Sequence, residues 1–397
     1  MPYGSGTFIY LDNAATTRAA PEVADTVAQV LTSEYGNPSS PHALGARAAR
    51  LVEAARRQVA RLIGASENEI VFTSGGTEAN NLAIRGVVYR HSRRDVHVVV
   101  QKTEHASVLN TCQALEQEGV EVTYLDVDAR GFVTPAQVLA ALRPQTVLVS
   151  IMAVNNETGV IQPVPAITAA LAGVRHRPAF HVDAVQAYGK IALSPGRWGI
   201  DLMSISGHKI HGPKGIGALY VRSGMALAAL LQGGDQERGL RPGTENTPGI
   251  AGFGVAADLA AQAFPDAAVK MRQLLENLYD RLRSGWPDVR RHTPAGDDAA
   301  PHILNVSFPP VPGEVLVHHL AQDGVYVSTT SACHAPSAKP SHVLAAMGIS
   351  GPELAGAIRI SLSRFTTPDE VDAAAEIILK NVDRLARRYQ NRRTGKK

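Results

Sequence analysis

Short apolar runs alternate along the first two-thirds of the chain with stretches whose apolar residues recur at helical spacing. The runs are EIVFT (69–73), VHVVVQ (96–101), VEVTYL (120–125), TVLVSIM (146–152), AFHVDA (179–184), DLMSIS (201–206) and GALYV (217–221). Several are apolar throughout, the pattern of strands buried on both faces. Helical patterns at 77–90, 105–118, 135–142 and 163–172 separate them. Strand–helix alternation of this kind predicts an α/β fold with a mostly parallel sheet covered on both sides. The runs 201–206 and 217–221 are joined by a Gly/Pro loop too short for a crossover helix, so that pair is predicted antiparallel. An earlier helix near 45–63 places Leu44, Ala48, Leu51, Ala55, Val59 and Leu62 on one stripe, and its five arginines read as a solvated face.

After about residue 262 the texture changes. A helix near 266–285 leads into the loop-rich HTPAGDDAAP. ILNVSF, a helix near 314–322, VYVS and IRISLS follow, and a final helix runs from about 368 to 389. This predicts a smaller α+β unit. The boundaries drawn are 14–262 for a large domain and 1–13 with 263–397 for the small one. No internal repeat or low-complexity segment interrupts the pattern.

Composition narrows the class. With 397 residues, 45% of them hydrophobic, the chain can bury a substantial core. A net charge of +3 argues against a nucleic-acid binder, which carries a clustered basic face. The one dense basic segment, RRYQNRRTGKK at the end, reads as a frayed, solvated tail. Two cysteines are too few for a disulfide framework. The N-terminal residues lack the pattern of a secretory signal, and no apolar run approaches the ~18 residues that span a bilayer. A cytoplasmic protein without membrane contact is expected.

In sheets of this kind ligands bind beyond the carboxyl ends of the strands. After EIVFT comes SGGTEAN, small residues opening a helix near Gly76 and Thr77, where backbone N–H groups suit a phosphate; a plain tight turn explains it equally. His105 opens the helix after VHVVVQ, a position common for capping histidines. Asp183 ends a buried apolar strand, which is costly unless a cation meets it. Lys209 follows DLMSIS within GHKIHGPKG. Each has a dull explanation alone. Together, a phosphate cradle, an aromatic ring, an acid in want of a cation and a strand-end lysine share one economical ligand, pyridoxal phosphate. The phosphate would sit at the helix start and His105 would stack on the ring. Asp183 would pair with the pyridine nitrogen, and Lys209 would hold the aldehyde as a Schiff base.

The segments YLDNAATT, YGNPSSPHALG, FTSGGTEANNLAI, KTEHASVL, VNNETGVIQP, HVDAVQAYGK, SGHKIHGPKGIGALYV, RPGTEN, SACHA and IRISLSRFTT stand in one order. In that order and spacing the chain resembles the cysteine desulfurases, in the class V aminotransferase group of fold type I pyridoxal-phosphate enzymes. The resemblance implies a seven-stranded, mostly parallel sheet sandwiched by helices in the large domain, and a small domain carrying a catalytic cysteine loop. It implies that Gly76, Thr77, Ser206 and His208 hold the phosphate. Gln186 joins Asp183 at the ring, contacting its phenolic oxygen, and Asn156 lies near that oxygen and the substrate. Arg359 clamps the substrate carboxylate with Asn13 close by. Thr244 of RPGTEN reaches the neighbouring subunit's phosphate, which implies a homodimer. Lys209 and His105 would manage the proton shifts.

Cys333 would accept sulfur from L-cysteine as a persulfide, with L-alanine released and the sulfur passed to an acceptor protein of iron–sulfur assembly, tRNA thiolation or another sulfur-cofactor route. Cys112, inside a helical pattern, reads as a core residue. Around Cys333 the family's small Ser-Gly-Ser run is here Thr329, Thr330 and Ser331. His334, Pro336 and Lys339 also depart from the usual pattern, which implies a stiffer loop. The rival readings are a selenocysteine lyase or another class V lyase, and a low-turnover scaffold of a sulfur-transfer complex. No zinc-type ligand spacing surrounds either cysteine, which argues against a metal site.

Overall fold

The computed structural model of the chain describes residues 8–91, 95–329 and 340–394, with side chains as far as Tyr389. Cys333 and the altered positions 330–339 around it lie outside the described residues. The strands in chain order are β1 (Ile9–Tyr10), β2 (Ile70–Thr73), β3 (His97–Gln101), β4 (Glu121–Leu125), β5 (Thr146–Ser150), β6 (Ala179–Asp183), β7 (Leu202–Ser206) and β8 (Gly217–Val221). They continue with β9 (Arg290–Arg291), β10 (Ile303–Ser307), β11 (Val325–Tyr326), β12 (Ser328–Thr329) and β13 (Ala357–Ser361). The helices begin with α1 (Pro21–Thr32), α2 (Ala43–Arg61), α3 (Gly76–Val88), α4 (Ala106–Gln117), α5 (Pro135–Ala141), α6 (Val164–Ala172) and α7 (Pro195–Trp198). After them come α8 (Thr247–Ala263), α9 (Asp266–Gly285), α10 (Gly313–Gln322), α11 (His342–Ala346), α12 (Gly351–Ala355) and α13 (Pro368–Thr394).

β2 to β8 form one seven-stranded sheet in the order β2-β8-β7-β6-β5-β3-β4. Neighbours pair in parallel except around β8, which runs antiparallel to both β2 and β7. The short Gly/Pro loop dictates that reversal, as expected. The apolar runs reach both faces. Val99, Val149, Val182 and Ile205 pack with residues of α1, α2, α5, α6 and α8. Val98, Val100, Leu148 and Leu219 pack with α3 and α4 on the other side.

A second, antiparallel sheet, β12-β13-β10-β9, shares a separate core with α9, α10 and α13. Leu11, just after β1, packs in that core, and β1 itself pairs with β11. The N-terminal strand thus belongs with the later part of the chain.

Two expectations need correction. Arg56 of α2 is not on a solvated face: it is buried, and its guanidinium meets Glu237 through two bonds of 2.7 Å. Val52 replaces Leu51 as the fully buried position on that stripe. The final helix also runs further than expected, α13 extending to Thr394. No helix among the described residues is long and apolar enough to cross a membrane.

Candidate active site

The carboxyl ends of the central strands open into a cavity of about 330 Å³. Gly76 and Thr77 reach it from the start of α3, His105 from the start of α4, and Asp183 from the end of β6. Gln186 follows β6. Ser206 closes β7, with His208 and Lys209 in the short turn after it. Asn156 and Arg359 complete the wall, the latter from β13 of the second sheet.

Lys209 projects its amine toward the chain's N-terminal segment, where Nζ donates to the carbonyls of Ala14 (2.6 Å) and Ala15 (2.7 Å). Burial, with Arg359 and Lys190 adding positive charge, pushes this amine down to about 8 against the pull of Asp12 and Asp183. Lys190 lies buried behind it and donates to the Lys209 carbonyl at 2.9 Å. Gln186 Nε2 shares the Ala14 carbonyl at 2.9 Å.

Asp183 is buried, and its two oxygens are separately engaged. Oδ1 accepts from the Val185 N–H at 3.0 Å and Oδ2 from Asn80 Nδ2 at 2.7 Å. His105 lies at the start of α4 and lines the cavity. It caps α4, its Nδ1 accepting from the Ser107 N–H at 3.1 Å, and its ring is exposed to the cavity. Arg359 donates Nη1 to the Asn156 carbonyl and Nη2 to Asp12 Oδ1, both at 2.8 Å, while Nε is buried with no partner among the described residues. Burial beside Lys209 and Lys214 pushes the His208 imidazole down to about 4, so it is neutral at pH 7.

The residues fit pyridoxal phosphate. Ser206 Oγ is buried with no hydrogen-bond partner among the described residues, the state of a hydroxyl that suits an anion. A Cβ on Gly76 would stand 2.7 Å from Val185 Cγ2, so only glycine leaves the helix start open beside this wall. Thr77 and the neutral His208 add donors at the same place. Across the cavity Asp183 offers an anion to a ring nitrogen, and Lys209 supplies an amine held partly deprotonated.

One residue expected beside the substrate, Asn13, is not brought into the cavity, and Thr244, expected to serve a neighbouring subunit, lies apart from it. Asn13 is buried and spends Nδ2 on the carbonyls of Ser361 (2.9 Å) and Tyr10 (3.2 Å), anchoring the segment that caps Lys209 instead of facing a ligand. Thr244 is exposed in a separate hollow beside Ser74, Gly215 and Arg241. Cys333 lies outside the described residues.

Sequence reasoning missed Asn80, Ser107 and Asp12. Asn80 stands one helical turn beyond Gly76, so the cradle at the start of α3 carried the signal that it faces inward. Asp12 sits inside YLDNAATT with nothing local to mark its partner.

A family model for Aminotransferase class-V matches residues 9–374. A cysteine desulfurase of Trichormus azollae is 46% identical over 380 residues, spanning 95% of this chain and 93% of that one. A solved NifS-like protein superposes with a TM-score of 0.90 at 38% identity, covering 96% of this chain and all of its own. SspA, solved in complex with cysteine, matches with a TM-score of 0.79 at 37% identity over 90% of this chain and all of its own.

Proposed function

The chain belongs to the class V aminotransferases and, among them, to the cysteine desulfurases, and from that premise we propose that it converts L-cysteine to L-alanine and carries the sulfur as a persulfide on Cys333. The observation that carries this reading is the meeting, in one cavity, of Lys209, Asp183, the Gly76 helix start and Arg359.

Bound pyridoxal phosphate supplies an aldehyde that joins amines covalently and a ring that withdraws electrons from the substrate's Cα. The chain's residues do the rest. Gly76, Thr77, Ser206 and His208 hold the phosphate. Asp183, held by Asn80 and the Val185 N–H, keeps the ring nitrogen protonated. Gln186 and Asn156, which line the same cavity, would contact the ring's phenolic oxygen. Lys209 would hold the aldehyde, and its amine, pushed down to about 8, would serve as the base for the Cα proton. Arg359 orients the substrate carboxylate, with Asn156 beside it. Asn13 acts from behind, by fixing the carbonyls that cap Lys209.

The balance closes without an outside oxidant. The Cys333 thiolate bonds to the substrate sulfur, the Cβ–S bond breaks, and Cβ takes a proton, so one sulfur atom leaves cysteine and appears in the persulfide. Cys112 is a poor substitute: it is buried in α4, and burial pushes its thiol up to about 12. The finer parts of the reading are a homodimer in which Thr244 reaches the partner's phosphate, a sulfur-acceptor protein, a cytoplasmic location, and a division into 14–262 and 1–13 with 263–397. The core that Leu11 shares with α9, α10 and α13, apart from the clusters on the two faces of the large sheet, supports that division.

The test is mass spectrometry after incubation with L-cysteine. One added sulfur is expected on Cys333 and none on Cys112, with alanine formed in equal amount at first turnover. Alanine release undiminished in Cys333→Ala would overturn the persulfide reading and favour a lyase.

A further inference from the structure

Behind His105 a chain of hydrogen bonds runs to Asp183 through Ser107 and Asn80. Asn80 Nδ2 donates to Asp183 Oδ2 at 2.7 Å and to Ser107 Oγ at 2.8 Å, and Ser107 Oγ lies 2.8 Å from His105 Nδ1. Asn80 and Ser107 are both buried. The direction of each bond follows from its donors and acceptors. The reversed amide would turn Asn80 Oδ1 against a carboxylate, so Nδ2 faces Asp183 and spends its second proton on Ser107. The serine hydroxyl, accepting there, has one proton left, and it points at His105 Nδ1. The Ser107 backbone N–H aims at the same nitrogen from 3.1 Å. A proton on Nδ1 would face that N–H directly. Nδ1 is therefore a lone pair with two donors, and the imidazole proton stands on Nε2, which has no hydrogen-bond partner among the described residues and opens to the cavity.

We propose that Asn80 and Ser107 are positioning residues that lock His105 as the Nε2–H tautomer, so that His105 meets the cofactor and substrate as a neutral hydrogen-bond donor and leaves the role of base to Lys209. The proposal refines the desulfurase reading above, but the tautomer is a property of this chain and holds whether or not that reading does. An Nε2–H imidazole gains a proton only at Nδ1, which means giving up both hydrogen bonds. The groups facing the ring agree. Burial, Lys209 and His342 all disfavour the imidazolium, and Asp183 alone favours it, with the ring's balance shifted down from its ordinary value. Glu104, next in sequence, turns its carboxyl away to the Met152 N–H at 2.6 Å. Ser107 is thus to this imidazole what an orienting carboxylate is in other sites, with the opposite polarity: it donates where a carboxylate accepts.

Long-range proton–nitrogen spectra of the full chain, labelled with ¹⁵N-histidine, read which ring nitrogen carries the proton; His105→Gln assigns the signal. The measurement is made with pyridoxal phosphate bound and after its removal, so it does not depend on turnover. In the wild-type protein His105 is expected as Nε2–H in both states. Ser107→Ala, which removes one donor and suits a helix, should raise the His105 midpoint by about 0.5–1 pH unit and admit some Nδ1–H form. Ser107→Thr keeps the hydroxyl and should restore the wild-type midpoint. A proton on Nδ1 in the wild-type protein, or a midpoint that Ser107→Ala leaves unmoved, overturns the proposal. A chain that keeps the tautomer yet places no sulfur on Cys333 would overturn the desulfurase reading and leave this one standing.

Discussion

Raising the pH should speed the loading of this chain with pyridoxal phosphate until about pH 8 and no further. The attacking group is the neutral Lys209 amine. At its ordinary value of 10.5, about one molecule in 3000 would carry it at pH 7; at the value near 8 set by burial and Arg359, about one in ten does. The site thus raises the reactive fraction by roughly 300-fold before any cofactor arrives. The assay is stopped-flow absorbance of the chain, freed of cofactor, mixed with excess pyridoxal phosphate from pH 6 to 9.5. The rate of Nα-acetyl-lysine under the same conditions is divided out to remove the cofactor's own titration. A rise of about tenfold per pH unit that bends near pH 8 is expected. A rate still climbing tenfold per unit through pH 9.5 would show that Lys209 keeps its ordinary basicity and would refute the argument. Stability supplies an independent reading. Because the folded-state value lies below the unfolded one, the unfolded chain binds more protons between about 8 and 10.5. The penalty, roughly 3 kcal/mol, is therefore present below pH 8 and relieved as the pH rises through that window. Lys190 is pushed down to about 8 as well, so the difference between the wild-type chain and Lys209→Met isolates the Lys209 share.

Arg56→Leu should cost about 3–5 kcal/mol in urea unfolding, since it strands a buried Glu237, while Arg56→Leu with Glu237→Leu should cost less than either change alone. Equal losses in single and double variants would contradict this. Gly76→Ala should weaken pyridoxal phosphate retention at least tenfold on dialysis, an order-of-magnitude expectation from the 2.7 Å approach to Val185, and Val185→Ala should restore part of it. Arg359→Lys should raise KM for L-cysteine roughly tenfold or more with a smaller effect on kcat, because an ammonium cannot grip a carboxylate with two parallel bonds. Ser361→Ala removes the acceptor of the buried Ala14 N–H (2.8 Å) and should lower stability by about 1–3 kcal/mol, measured by thermal unfolding.

The strands were legible because burial on both faces leaves little room for polar residues, so Val98, Val99 and Val100 in one run announce β3 without any knowledge of its neighbours. The helix α8 was not. Its sequence, TPGIAGFGVAADLAAQA, is buried on nearly every side between α1 and α2 and so shows no stripe. Arg56 was misread for a related reason: its partner Glu237 lies 181 positions away, and helical spacing cannot tell a solvated arginine from one met by a distant acid. At the site, strand ends told where Asp183 and Lys209 would be, since any chemistry at the carboxyl edge of a parallel sheet must follow a strand. Asn13 was placed too close to the substrate because its role depends on β13, a strand 348 residues further along.

That long-range contact explains how the two sheets make one site. Along β13, Arg359 and Ser361 are two residues apart and so point to the same side. Arg359 reaches into the cavity and is steadied by Asp12. Ser361 takes the Ala14 N–H on its hydroxyl and Asn13 on its carbonyl. The carbonyls of Ala14 and Ala15 in turn hold the Lys209 amine, with Gln186 on the first of them. A single strand of the second sheet therefore delivers both the guanidinium for the substrate carboxylate and the frame around the reactive lysine. Whatever shifts β13 shifts both together. Substrate held by Arg359 would draw on the Asp12 contact, and with it on the segment that cages Lys209.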